Sequence, residues 1–429
     1  MKKKWIAVLL TLAMTGSMAA CGSGSGAKSG SGDKDEAKEQ TVELWTCWTD
    51  GADTAKAGEE QIKKFEEQTG IKVNQTNFTY DMLHEKILTA AAGGNVPDLI
   101  WGLPEYIGEF YNMGILEDLT ERFNDWEDKD ALSEAVVKAM TIDDKIVGIP
   151  YEMTVRAYLT HTEDLKAAGI EVPKTWEDLL SNGGYYEKNG KYLTELACTG
   201  VRSAQELLVY LAQYDLEIAS AQDDGKYKNT WKDNDEEMEK ATKVFQMYQD
   251  LVDKKIIDEN CKNWGWEETD ENFATGITST YVTGNWLAER ETSNPDTMED
   301  VAVSAIPYPS DGHQATYMEC KPLFILADSK NKDAAWEFIK YWTNEECNKE
   351  RIGTELPVLN SVVESEGIMD QEEYAPFYTM LEQSEGHTPA SFLMDSWSEV
   401  SENLSLSFEQ IFNPSSMQDV SEVLDSAVK

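Results

Sequence analysis

The sequence predicts an α/β protein folded in two lobes. Three observations carry this: a strand–helix–strand–helix–strand run ahead of residue 102, a middle rich in long helices, and a length beyond one simple core. The run opens at Thr41–Thr46 (TVELWT), where polar and apolar residues alternate as in a strand. Thr54–Gln68 then carries Ala57, Ile62 and Phe65 at helical spacing, and Gly70 ends it. Ile71–Phe78 predicts a second strand, Met82–Ala92 a helix stopped by Gly93 and Gly94, and Asp98–Trp101 (DLIW) a short buried strand. Crossovers at this spacing predict a parallel sheet with right-handed connections. Ligands of such sheets bind beyond the carboxyl ends of the strands. That rule lines up Thr46–Asp50, Phe78–Tyr80 and Trp101–Glu105 along one rim.

Farther on, Gln205–Tyr214 and Glu236–Val252 predict helices. Short strands are expected near Ile146–Pro150, Ala157–Thr160 and Thr278–Val282. Val301–Pro307 and Leu323–Ala327 predict strands, and Asp333–Thr343 a helix. No internal repeat is visible. The elements of the first lobe resume after residue 285, as expected of a chain that crosses between lobes more than once.

The amino terminus reads as an export signal. Met1-Lys2-Lys3-Lys4 is a charged start, Trp5–Met14 is apolar, and Ser17-Met18-Ala19-Ala20 precedes Cys21. The pattern resembles a bacterial lipobox, with Met18 where Leu is commoner, and implies a diacylglycerol on the Cys21 thiol. The apolar run is too short to span a bilayer. Residues 22–40 (GSGSGAKSGSGDKDEAKEQ) predict a flexible tether about 25 Å long. Holding a globular body near the membrane raises its local concentration for a membrane partner.

Of 429 residues, cleavage after the first 20 leaves 409, and losing three lysines takes the net charge from −43 to −46. No basic stretch follows the signal, which excludes nucleic acid as a partner. The same charge disfavours a polyanionic ligand unless a local pocket reverses the field. The 13 tryptophans argue against disorder despite the acidity. Five cysteines remain beyond Cys21 (Cys47, Cys198, Cys261, Cys320 and Cys347), an odd number at irregular spacing. They form no CxxC and no zinc spacing, so neither a metal nor another cofactor is expected. His84, His161, His313 and His387 are scattered. No GxSxG, HExxH, P-loop or dinucleotide fingerprint occurs, and no enzyme is expected.

Six stretches in order carry a family resemblance: ELWTCWTDG at 43–51, GGNVPDLIWG at 93–102, GIPYEMTVRAYLTHTEDLKAAGIEVPKTWEDLL at 148–180, ENFATGITSTYVTGNW at 271–286, DVAVSAIPYPSDG at 300–312 and SKNKDAAWEFIKYWTNEE at 329–346. Together they resemble the extracellular solute-binding proteins of bacterial ABC importers, in the sugar-binding group that includes maltose-binding protein. The resemblance implies a two-lobed periplasmic-binding-protein fold of class II type. A cleft would lie between lobes joined by a hinge crossed near Glu152–Arg156, Thr280–Asn285 and Tyr341–Glu345. It implies an N-lobe of 41–153 plus 285–340 and a C-lobe of 154–284 plus 341–429. One departure stands out: HQATYMECKP at 313–322 replaces the family's glycine-rich ligand loop and separates the exact sugar contacts from the family's.

Sugars present apolar CH faces and dense hydroxyls, which aromatic rings and charged or amide groups bind respectively. The rim supplies Trp48, Asp50, Tyr80, Trp101 and Glu105 as candidates, with Trp48 preferred over Trp45. Tyr151, Glu152 and Arg156 sit at the first crossing. Trp264 and Trp266 flank Gly265 outside any helical stripe. Trp286 resembles a stacking residue at the family's second crossing, and Tyr317 and Glu319 fall where the family has a ligand loop. Trp397 reads as packing instead. The expected partners are a sugar or oligosaccharide, the permease subunits and, through the lipid, the extracytoplasmic face of the cell membrane; the chain is expected to be monomeric. Two other readings stay open. A polyamine or other cation suits the acidic surface and an aromatic cage. A surface glycosidase needs only a carboxylate pair.

Overall fold

The computed structural model describes residues 40–48, 52–353 and 355–412. The signal, Cys21, the tether up to residue 39 and Asp50 lie outside the described residues. The first strand, β1 (Thr41–Thr46), buries Val42, Leu44 and Thr46, the alternation its sequence carries. Helix α1 (Asp53–Thr69) buries Ile62 and Phe65 on one face. Gly70 stops it at φ 74°, where its N–H reaches the Glu66 carbonyl. Strand β2 (Lys72–Asn77) follows, then helix α2 (Tyr80–Gly93), ended by Gly94 at φ 68°, and strand β3 (Leu99–Trp101). The sheet pairs β1 in parallel with both β2 and β3.

The parallel order ends there. Strand β4 (Ile149–His161) runs unbroken for 13 residues, every one buried, where two short strands were expected. The sequence hides this because Glu152, Thr154 and Arg156 interrupt the apolar run. In the structure they share one face of the strand, while Tyr151, Met153 and Val155 occupy the other. Three further strands are β5 (Thr280–Gly284), β6 (Val301–Ser304) and β7 (Met318–Ile325). Strand β7 lies between β3 and β4 and is antiparallel to both. It pairs Glu319 with Thr154 and Lys321 with Glu152. The far half of β4 takes β5, with Arg156 opposite Gly284, and β6, with His161 opposite Val301. The whole sheet has seven strands, mixed in direction.

Two packing groups flank this sheet. Helix α8 (Lys332–Trp342) returns to α1, where Phe65 meets Phe338 edge to face at 5.1 Å. On the other side lie α3 (Gly200–Ala212), α4 (Asp235–Asp253), α5 (Trp266–Ala274) and the last described helix, α9 (Trp397–Ile411). Phe245 of α4 stacks on Phe408 of α9 at 5.3 Å, and Trp397 is fully buried against Phe392. Two short helices follow β5: α6 (Asn285–Thr292), a 3-10 helix, and α7 (Pro295–Met298), which leads into β6. Cys198, Cys261, Cys320 and Cys347 carry buried free thiols, with the Cys198 and Cys261 sulfurs 4.0 Å apart.

Candidate functional site

The middle of the molecule encloses a cavity of ≈ 340 Å³, within the range of small-molecule sites. Its first wall is aromatic. Trp48 stands just beyond β1, Tyr80 opens α2, and Trp101 ends β3, the rim that strand order predicts. Trp48 stacks on Trp342 at 5.9 Å, and α1 admits it because residue 58 is glycine; a Cβ there would come within 2.6 Å of the indole. Trp45 instead packs edge to face on Phe78 at 5.1 Å, outside the cavity wall. The Trp101 Nε1–H is buried without a hydrogen-bond partner.

The floor comes from β4 and β7. Period two brings Glu152, Thr154 and Arg156 into the cavity from one strand and Lys321 from its neighbour. Beneath them Glu319, fully buried, accepts from Arg156 Nη1 at 2.7 Å and from Lys321 Nζ at 2.5 Å. Burial alone would push the Glu319 carboxyl up, but Lys321 and Arg156 outweigh it and hold it at about 2. Tyr317, also buried, carries the Arg156 guanidinium over its ring at 4.7 Å. Glu105 lies behind Tyr80, accepting from the Tyr80 hydroxyl at 2.7 Å. Burial and the nearby Glu319 raise Glu105 to about 7. Burial, with Glu355 beside it, likewise pushes Glu152 well up.

The far wall is charged. Helix α3 presents Val201, Arg202 and Gln205, and α5 presents Trp266 and Asp270, one helical turn apart. Gln205 Oε1 accepts from Arg156 Nη2 at 3.2 Å. Trp286, just after β5, is the hub. Its Nε1–H donates to Asp270 Oδ2 at 3.0 Å, and Arg156 and Arg202 lie over its ring at 4.9 and 4.4 Å. Gly284 permits this placement, since a Cβ there would fall within the Trp286 ring. Thr54 at the start of α1 donates to Glu289, and Thr292 donates to Asp53 at 3.0 Å, so the segment after β5 is tied to the first wall.

Of the residues singled out in the sequence, the cavity gathers Trp48, Tyr80, Trp101, Glu152, Arg156, Trp266 and Trp286. Glu105, Tyr317 and Glu319 stand one layer behind, each against a lining residue. Tyr151 points to the opposite face of β4, near Trp101 and Trp342. Trp264 is placed by its carbonyl, which accepts from Cys198 N and Thr199 N, and its ring packs on the core. Sequence reasoning missed Lys321, Arg202, Gln205 and Asp270. The first was legible as the partner of Glu319 two residues along a strand. Arg202 was hidden because the helix was expected to begin only at Gln205, whereas it starts at Gly200.

Family comparison accounts for this architecture. Bacterial extracellular solute-binding proteins match residues 60–376. The chain belongs to that family. A binding protein of Brucella abortus is 22% identical over 84% of this chain and 86% of its own length. Among solved structures, an ABC transporter solute-binding protein from Thermotoga lettingae, bound with α-D-tagatose, superposes with a TM-score of 0.79. It is 21% identical and covers 91% of this chain and 98% of its own. The GacH receptor of Streptomyces glaucescens, solved unliganded and with acarbose, reaches 0.77 at 20% identity, covering 91% and 96%. This solute-binding family member therefore has the two-lobed fold of periplasmic sugar-binding proteins. Among the described residues no helix is long and apolar enough to cross a membrane.

Proposed function

We propose that this chain is the membrane-anchored substrate-binding component of an ABC importer, capturing a sugar or oligosaccharide and delivering it to the permease. The observation that carries the reading is the cavity itself: aromatic faces on one wall oppose buried charged groups on the other, within a solute-binding fold. That pairing suits the two surfaces of a saccharide. Tagatose, acarbose and, in a Listeria monocytogenes relative, cycloalternan occupy structural neighbours, which supports the same class here. Cys21 would carry the lipid, and the tether after it would hold a monomeric receptor at the extracytoplasmic face. Its role is capture without turnover.

We place the lobe division along β4. The first lobe would hold β1–β3, α1, α2 and α8; the second would hold α3–α5 and α9. The pairing of β6 with Tyr158–His161 supports moving residues 301–304 to the second lobe, away from the sequence-based division. Closure about β4 would bring the walls together on the ligand.

A polyamine fits less well. Arg156, Arg202, Arg290 and Lys321 line the cavity and would repel it, while burial pushes the lining carboxyls Glu152 and Glu289 toward their neutral forms. The test is a thermal-shift screen of the full chain against mono- and oligosaccharides, with spermidine and putrescine alongside. A ligand that binds only the folded state raises the melting temperature. A saccharide hit is expected; stabilisation by a polyamine alone contradicts the proposal, and disappearance of a stabilising saccharide during incubation contradicts capture without turnover.

A further inference from the structure

Within a chain of net charge −43, the cavity lining sets four cations beside four carboxylates, Glu152, Asp270, Glu289 and Glu355. Three of the four lining cations have an anion in contact. Arg156 and Lys321 share Glu319, and Arg290 lies 3.5 Å from Glu271. Arg202 is different. Only 7% exposed, it makes no side-chain hydrogen bond or ion pair within the described residues, and its Nε and Nη1 are buried without partners. The Trp286 ring lies 4.4 Å from its guanidinium, and the Glu206 and Asp270 carboxylates attract it through space without a hydrogen bond. The same ring carries Arg156, so two guanidinium groups converge on one indole.

The carboxylates around them leave the Arg202 N–H groups without an acceptor. Glu319 is one anion between two cations. Burial pushes Glu105 and Glu152 toward their neutral forms. Asp270 spends Oδ2 on the Trp286 indole, and its Oδ1 has no partner. Leaving a buried guanidinium unpaired is far more costly than leaving a hydroxyl or amide unpaired. A neutral sugar offers Arg202 a hydroxyl, whereas a carboxylate offers both charge and acceptor oxygens.

Resting on the saccharide reading, we infer that the cavity selects an acidic saccharide, one bearing a hexuronic acid carboxylate that pairs with Arg202. The aromatic wall of Trp48, Tyr80 and Trp101 would take the apolar faces of the sugar rings, and Asp270 Oδ1 would accept from a hydroxyl beside the carboxylate. The pocket thus sets cations within an otherwise acidic surface. The replaced loop at 313–322 contributes one of them, Lys321.

The experiment is isothermal titration of the full chain with matched pairs of probes. Digalacturonate is compared with the corresponding digalactoside, and a xylo-oligosaccharide bearing one glucuronic acid with the same xylo-oligosaccharide lacking it. The acidic member of a pair should bind on the order of 100-fold more tightly, as expected of a charge-assisted contact. Arg202→Gln should abolish that preference, and Arg202→Lys should retain part of it. The wild-type comparison stands alone if either variant fails to fold. Equal or tighter binding of the neutral members overturns the inference while leaving the saccharide reading intact. Failure of every member of both pairs, together with a stabilising neutral sugar in the wider screen, also overturns it. Failure of all saccharides removes the reading and the inference together.

Discussion

The two walls of the cavity are built on different physics. The first wall sets Trp48, Tyr80 and Trp101 at the ends of β1, at the start of α2 and at the end of β3, where backbone topology alone brings them together. The second wall assembles Arg156, Arg202, Asp270 and Trp286 from β4, α3, α5 and the turn after β5, and holds them by pairing charge with charge and charge with ring. The difference teaches that strand order locates an aromatic rim, whereas a buried charge cluster depends on partners far apart in sequence.

The comparison breaks most severely if the charged floor is cut. Glu319→Ala leaves Arg156 and Lys321 buried around no anion, and chemical denaturation should show a loss of roughly 3–5 kcal/mol. A loss below about 1 kcal/mol would mean that water or another carboxylate replaces Glu319. Trp101→Phe on the first wall should change stability much less, since its Nε1 has no partner to lose.

Acidity provides a second lever. Glu319, at about 2, lies below its ordinary 4.5, so its pairs stabilise the fold above about pH 4.5 and are lost as pH falls toward 2. Glu206 on α3 moves the other way. Burial raises it to about 7 although it accepts from Tyr281 and from the Ala197 N–H. Its protonated form favours the folded state, so that advantage is complete below about pH 4.5 and fades as pH rises through 7. The melting temperature should peak in the weakly acidic range. Glu206→Gln should flatten the upper limb, gaining ~1–3 kcal/mol at pH 8. An unchanged upper limb in this variant would contradict the assignment.

Smaller changes sharpen the contrast. Gly284→Ala forces the Trp286 indole off its place, with an expected loss of ~1–3 kcal/mol. Weakened saccharide binding in calorimetry should accompany it. Thr54→Val removes the hydrogen bond to Glu289 that ties α1 to the segment after β5, and should lower stability by ~0.5–1.5 kcal/mol. Ligand affinity that falls by more than the stability change would show that this tie also sets the closed geometry.

Much of the fold was legible. Gly70 and Gly94 stop α1 and α2 as their sequence positions imply, and β1 alternates as written. The mixed direction of the sheet was not legible, because strand pairing across β7 and β4 joins segments 165 residues apart, as for Glu319 and Thr154. The site was half legible for the same reason. Rim aromatics follow from local strand ends. Glu152 and Arg156 stood in an alternating EMTVR pattern that places them on one face and Tyr151 on the other, a signal that charge at those positions concealed. Arg202 depends on where α3 begins, and helix starts are the least certain part of a sequence pattern.

The central claim is that one saccharide is held between both walls. Tryptophan fluorescence of the full chain, titrated with the stabilising saccharide in parallel with Trp101→Phe and Trp286→Phe, tests it most directly. A saturable change that each substitution reduces, one from each wall, is the expected result. A change that survives both substitutions, or that only one wall reports, would contradict it.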